Sequence, residues 1–175
     1  MMQYRPVVMT GCALLVVAGV LMATDIMPVR KSTLVTISTR VEVKAPPATV
    51  WKTLCSVDGF CAITGFKPVP GQKLRAFSRV GDALPAGIWT DTGRLIVTYL
   101  SPGRELRVAF EPENASYLCS ARVILKPSGD GTSVEYTDRY SDDQPTVDQT
   151  ARQVFQETMA AVEAFKLLAE RQPVR

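Results

Sequence analysis

The sequence predicts an α+β domain, a curved antiparallel sheet of six or seven strands wrapped around one long C-terminal helix, with two short helices after the first strand. Three observations predict it. A strand stops and a helix starts within Val41 to Phe60, alternating segments fill Gln72 to Asp142, and a continuous apolar stripe marks Thr146 to Arg171.

The first strand is read from Thr33 to Lys44, where Val35, Ile37, Val41 and Val43 alternate with polar residues at the period of a half-buried strand. Pro46 and Pro47 stop it, and proline suits the first turn of a helix, where its missing N–H would be unpaired anyway. Val50, Trp51 and Leu54 then fall on one inward face. A second short helical piece is expected around Asp58 to Ile63.

Further strands are expected at Lys73 to Arg79, Ile88 to Leu100, Glu105 to Glu111, Tyr117 to Lys126 and Thr132 to Ser141. Ser101 to Arg104 and Pro127 to Gly131 carry the Pro and Gly of tight turns, so the strands they join are antiparallel. Gly81 to Gly87 reads as a surface loop or as a lid over a cavity mouth. The last helix runs from Thr146 to about Arg171, with Thr146 and Gln149 as a capping box, Pro173 as a stop, and Val147, Ala151, Val154, Thr158, Val162, Phe165 and Leu168 as its stripe.

Two segments divide the 175 residues: 1–30, a membrane segment and linker, and 31–175, the folded domain. Val7 to Ala23 is almost free of charge, and its length is near the lower limit of about 17 residues for a spanning helix. A cut after Ala23 would leave Leu21 where a signal peptidase wants a small residue. An uncleaved anchor with the domain exported, periplasmic or extracellular, is therefore the first reading, and secretion after cleavage the second. Cys12 precedes most of the apolar run, which speaks against a lipid-modified cysteine.

The net charge of +3 is spread along the chain without a basic run, which argues against nucleic acid as a partner. With no histidine, the commonest general base and metal ligand is missing, so no catalytic residue, metal site or cofactor is assigned. Cys55, Cys61 and Cys119 read as buried small hydrophobes, or Cys55 and Cys61 as a bridge in an oxidising compartment. The sequence sets no oligomeric state.

The Val41 to Phe60 window with its Ala-Pro-Pro-x-x-Val-Trp, Gly93 through Pro102-Gly103, and Lys126-Pro127 through Gly131-Thr132 resemble, in that order, START-like domains of the SRPBCC superfamily. That superfamily includes polyketide cyclase/dehydrase-like and plant pollen-allergen-like proteins. The resemblance covers about residues 33 to 171 and implies the helix-grip fold, with a cavity for a hydrophobic small molecule or lipid between sheet and helix. A membrane-tethered carrier or sensor, a cyclase or dehydratase, and a ligand-free interaction module are the functions it leaves open.

Alternation names the residues for such a cavity. Tyr117, Cys119, Ala121, Val123 and Leu125 form one inward row, and Val134, Tyr136, Asp138 and Tyr140 another. A buried carboxylate needs a partner or water, so Asp138 either pairs with Arg94 across the sheet or is solvated at an open end. Trp89, Tyr99, Tyr117, Tyr136, Asp138, Phe155, Met159 and Phe165 are the candidate ligand-binding residues. The aromatic ones serve equally as ordinary core.

Overall fold

β1 (Thr33–Val43) opens the domain in a computed structural model that describes residues 33–88, 90–114, 117, 119–142 and 147–171. The apolar run Val7 to Ala23 lies outside the described residues, among which no helix is long and apolar enough to cross a membrane. Ile37 and Val43 are buried on the inner side of β1. The strand ends at the proline pair as expected. In α1 (Pro47–Cys55), Pro47 occupies the first turn, and Thr49 and Val50 donate their N–H groups to the carbonyl of Pro46 at 2.9 and 3.1 Å.

Ser56 is both the end of α1 and the cap of α2 (Val57–Thr64), accepting a hydrogen bond from Gly59 N at 3.0 Å. Gly65, at φ 75°, ends α2 in the left-handed conformation that glycine adopts without strain. A short β2 (Lys67–Pro68) follows.

Five further strands and a final helix complete the described part of the domain. β3 (Ala83–Ile88), β4 (Asp91–Ser101), β5 (Glu105–Pro112), β6 (Cys119–Ser128) and β7 (Gly131–Asp142) join β1 and β2 in one seven-stranded sheet of order β1-β7-β6-β5-β4-β3-β2. Every adjacent pair is antiparallel. α3 (Val147–Glu170) rests chiefly on α2, β1 and α1. The curled sheet, the two short helices after β1 and the long C-terminal helix make the helix-grip arrangement.

Two expectations are corrected. Lys73 to Arg79 is not a strand of the sheet: Phe77 N donates to Cys55 O at 2.8 Å and Val57 N to Arg75 O at 3.0 Å, so this backbone is satisfied by the α1–α2 joint. Phe77 is buried there, edge-on to Phe60 with ring centroids 5.0 Å apart. Most of the expected loop at Gly81 to Gly87 is strand β3. Its Pro85 is harmless because Val69 N donates to Pro85 O at 2.9 Å, which puts the missing N–H on the side of β2, where few ladder bonds form.

Candidate functional site

Three strands build a patch on the inner face of the sheet, at the end from which the chain leaves for α3. Across β1, β7 and β6 the register aligns Thr39, Tyr136 and Val123, then Ile37, Asp138 and Ala121, then Val35, Tyr140 and Cys119. Alternation puts all nine on one face, and Asp138 is at the centre. Ile37, Ala121, Val123, Cys119, Tyr136 and Tyr140 are buried, whereas Asp138 is half-buried.

Burial pushes the Asp138 carboxyl from 3.8 up to about 6, against the opposing effect of the Arg139 backbone N–H. Cys119 is pushed up to about 12 by burial and then by the charge of Asp138. Tyr136 is raised well above its ordinary value by burial, then by Asp138 and Cys119. The thiol and the phenol therefore stay protonated at neutral pH, and the carboxyl is the group of the patch that titrates near it. The patch can present a hydrogen-bond acceptor or a negative charge inside an apolar wall.

The expected pairing of Asp138 with Arg94 is corrected. Arg94 is on the outer face, bound to Glu111 at 2.9 Å. The other charged strand residues that form ion pairs also lie outside. Arg40 and Lys126 meet Glu135, and Arg107 and Arg122 meet Glu105.

Tyr99 joins that outer network, 43% exposed with the Arg107 guanidinium 4.8 Å from its ring centroid. Simple alternation from Leu95 and Val97 puts Tyr99 inside, but a bulge between Val97 and Tyr99 shifts the register and reverses it. It is therefore removed from the inner wall.

On β4 and β5 the same end of the sheet carries an aromatic wall. Tyr117 donates to Asp91 at 2.9 Å, and its ring is 6.4 Å from Phe110, which in turn is 4.8 Å from Phe66. Burial and the hydrogen bond to Asp91 raise the Tyr117 phenol. Gly93 makes room for this wall, since a Cβ there would meet Glu111 O at 2.2 Å and Phe110 Cζ at 2.9 Å.

From α3, Val154, Thr158, Val162, Phe165 and Ala169 are buried. Phe165, in the C-terminal half, is core. Phe155 and Met159 remain 49% and 42% exposed, and the sulfur of Met159 accepts a hydrogen bond from Thr39 at 3.2 Å. Met159 is thus tied to a corner of the patch.

Of the expected binding residues, Tyr136 and Asp138 come together, Met159 is tied to Thr39 at the patch's corner, and Tyr117 belongs to the Asp91–Phe110 group. Trp89 lies outside the described residues. Asp91 and Phe110 were missed in the sequence. Asp91 gave no signal because it sits inside what reads as one long strand, Ile88 to Leu100, and only the turn between β3 and β4 makes it a strand start.

Cys55, Cys61 and Cys119 are free and buried, as small hydrophobes are. Among the described residues no group of acidic residues and cysteines is placed to hold a metal ion. A cleft of about 500 Å³ opens elsewhere, between the start of α2 and the Pro68 to Arg75 segment.

Sheet, helices and inner wall together define a helix-grip domain. Solved structures share this fold. A Rhizobium leguminosarum protein matches with a TM-score of 0.62 at 17% identity, over 81% of this chain and 98% of that one. Ara h 8.0201 matches at 0.57 and 13%, over 80% and 100% of the two chains. The Aha1 protein from Colwellia psychrerythraea, solved as a dimer, matches at 0.54 and 16%, over 79% and 99%. At such identities the likeness is one of fold. No family model and no curated protein sequence matches the chain.

Proposed function

We propose that this protein binds a hydrophobic small molecule or lipid between the inner face of the sheet and the N-terminal half of α3. The observation that carries the reading is Asp138, a half-buried carboxyl at the centre of an otherwise apolar wall. A carboxylate is costly to bury without a partner, and a pocket that admits water or the polar end of a ligand relieves that cost. Met159, bound to Thr39 at a corner of the wall, and Phe155 one turn before it on α3 are exposed and would supply apolar surface at the edge of such a pocket. The fold shared with Ara h 8.0201 and with DynU16, a protein of the dynemicin biosynthetic locus, supports the same reading.

Tethering follows as a second part of the proposal. The apolar run Val7 to Ala23 would hold the domain at a membrane, on its exported side, next to the lipid from which an apolar ligand comes. Carriage or sensing suits such a placement better than catalysis, because the groups around Asp138 are held protonated by burial and no histidine is available as a base.

Native mass spectrometry of the full chain tests binding. A co-purifying apolar molecule, lost when Ala121→Leu and Cys119→Leu fill the wall, is the expected result. A ligand-free protein that also fails to take up an environment-sensitive apolar dye would overturn the reading. Turnover of the bound molecule would move the assignment to an enzyme, and fractionation of the full chain against one lacking residues 1–30 tests the tether.

A further inference from the structure

The inner wall also carries information about the ligand's polar end. We infer that the ligand is an amphiphile with an apolar body and a protonated amine at one end, and that the amine is held by Asp138. The inference rests on the binding proposed above.

Geometry argues for it first. Among the described side chains, the inner face offers two carboxylates at this end of the sheet, Asp91 and Asp138. Asp91 is engaged by the Tyr117 hydroxyl at 2.9 Å. Asp138 is surrounded by Ile37, Ala121, Tyr136 and Tyr140 along and across its strand, and none of the ion pairs formed by the described residues reaches it. The Arg139 backbone N–H is the one opposing influence on it, and among the described residues on this face its neighbours carry no positive charge.

Chemistry then selects the head group. A carboxylate-headed ligand would bring a second negative charge into the same low-dielectric wall, and like charges there repel strongly. A plain hydrocarbon would strip water from Asp138 and return nothing. A hydroxyl would donate one hydrogen bond and leave the carboxylate's charge in place, whereas an ammonium group would donate and also neutralise that charge. The carboxyl's raised value near 6 still leaves it ionised at neutral pH, ready for a cation.

Calorimetric titration of the full chain at pH 7.5 with decylamine, decanol and decanoate, each below its micelle concentration, tests the inference. Decylamine should bind at least ~10-fold more tightly than decanoate. Asp138→Asn should reduce that ratio to within about threefold while decanol binding changes little, and Asp138→Glu, which keeps the charge, should retain the preference. Equal affinities for the three probes in the unmutated chain would overturn the head-group inference alone. Loss of the preference in Asp91→Asn but not in Asp138→Asn would overturn the assignment to Asp138. If none of the three binds, both the inference and the binding reading fall.

Discussion

Thr132 donates its hydroxyl to the carbonyl of Ala45 at 2.8 Å across 87 positions of sequence, and both residues are buried. The bond fastens the start of β7 to the corner where β1 turns into α1. Gly131 beside it lies so close to β1 that a Cβ would meet Val43 O at 2.4 Å. Thr132→Val keeps the shape and removes the donor, leaving a buried carbonyl unsatisfied. A loss of about 1–3 kcal/mol is expected, read as a lower urea midpoint at unchanged slope, with Thr132→Ser retaining most of the stability. Wild-type stability in Thr132→Val would show that the bond contributes nothing.

The α1–α2 joint has as little slack. A Cβ at Gly59 would lie 1.9 Å from Thr53 O and 3.0 Å from Ser56 Oγ. Gly59→Ala must therefore push the two helices apart or break the Ser56 cap, at roughly 1–3 kcal/mol. Thermal unfolding followed by circular dichroism measures it. A variant within about 0.5 kcal/mol of the parent would mean that the joint yields freely.

Glu105 is only 7% exposed, but its cover is two arginines that are themselves about half exposed, so solvent still screens the cluster. Hydrogen bonds from Arg122 and then Arg107 hold its carboxyl below the usual glutamate value of 4.5. A carboxylate lowered on folding stabilises above its unfolded value, and the contribution is lost as pH falls through the folded one. Glu105→Gln should cost about 1–2 kcal/mol at pH 7. Denaturation curves should show that deficit shrinking below pH 4.5, and a deficit independent of pH would remove charge as its cause.

Asp138 has the opposite sign. Its carboxyl rises from 3.8 to about 6 on folding, so the folded chain binds the proton more tightly. The ligand-free domain should lose stability as pH rises from about 4 to about 6. Asp138→Asn should remove that slope and be the more stable protein at pH 7, by at most about 3 kcal/mol. A slope that survives the substitution would assign it to another group, and carboxyl chemical shifts across the titration would identify which.

Much of the fold could be read because its signals are local. The alternation of Thr33 to Val43, the prolines at 46 and 47 and the stripe of the last helix each depend on a few neighbouring residues, and each element stands where expected. The inner row Tyr136, Asp138, Tyr140 was legible for the same reason.

What failed depended on partners. The β3 strand contains Pro85 and Gly87, and only its place beside the two-residue β2 makes them tolerable. Tyr99 was misplaced by a bulge that leaves no mark in the alternation. Charge alone makes Arg94 a partner for Asp138. Register sends it to Glu111 instead.

Sheet order has a consequence for how the chain is made. Among the described strands β1 pairs with β7 alone, residue for residue from Thr33 opposite Asp142 to Val43 opposite Thr132. During synthesis the first strand therefore has no partner until nearly the whole domain has emerged, and pairing over such a sequence separation is slow. The edge that completes the fold therefore also keeps the nascent chain open until its last strand is made.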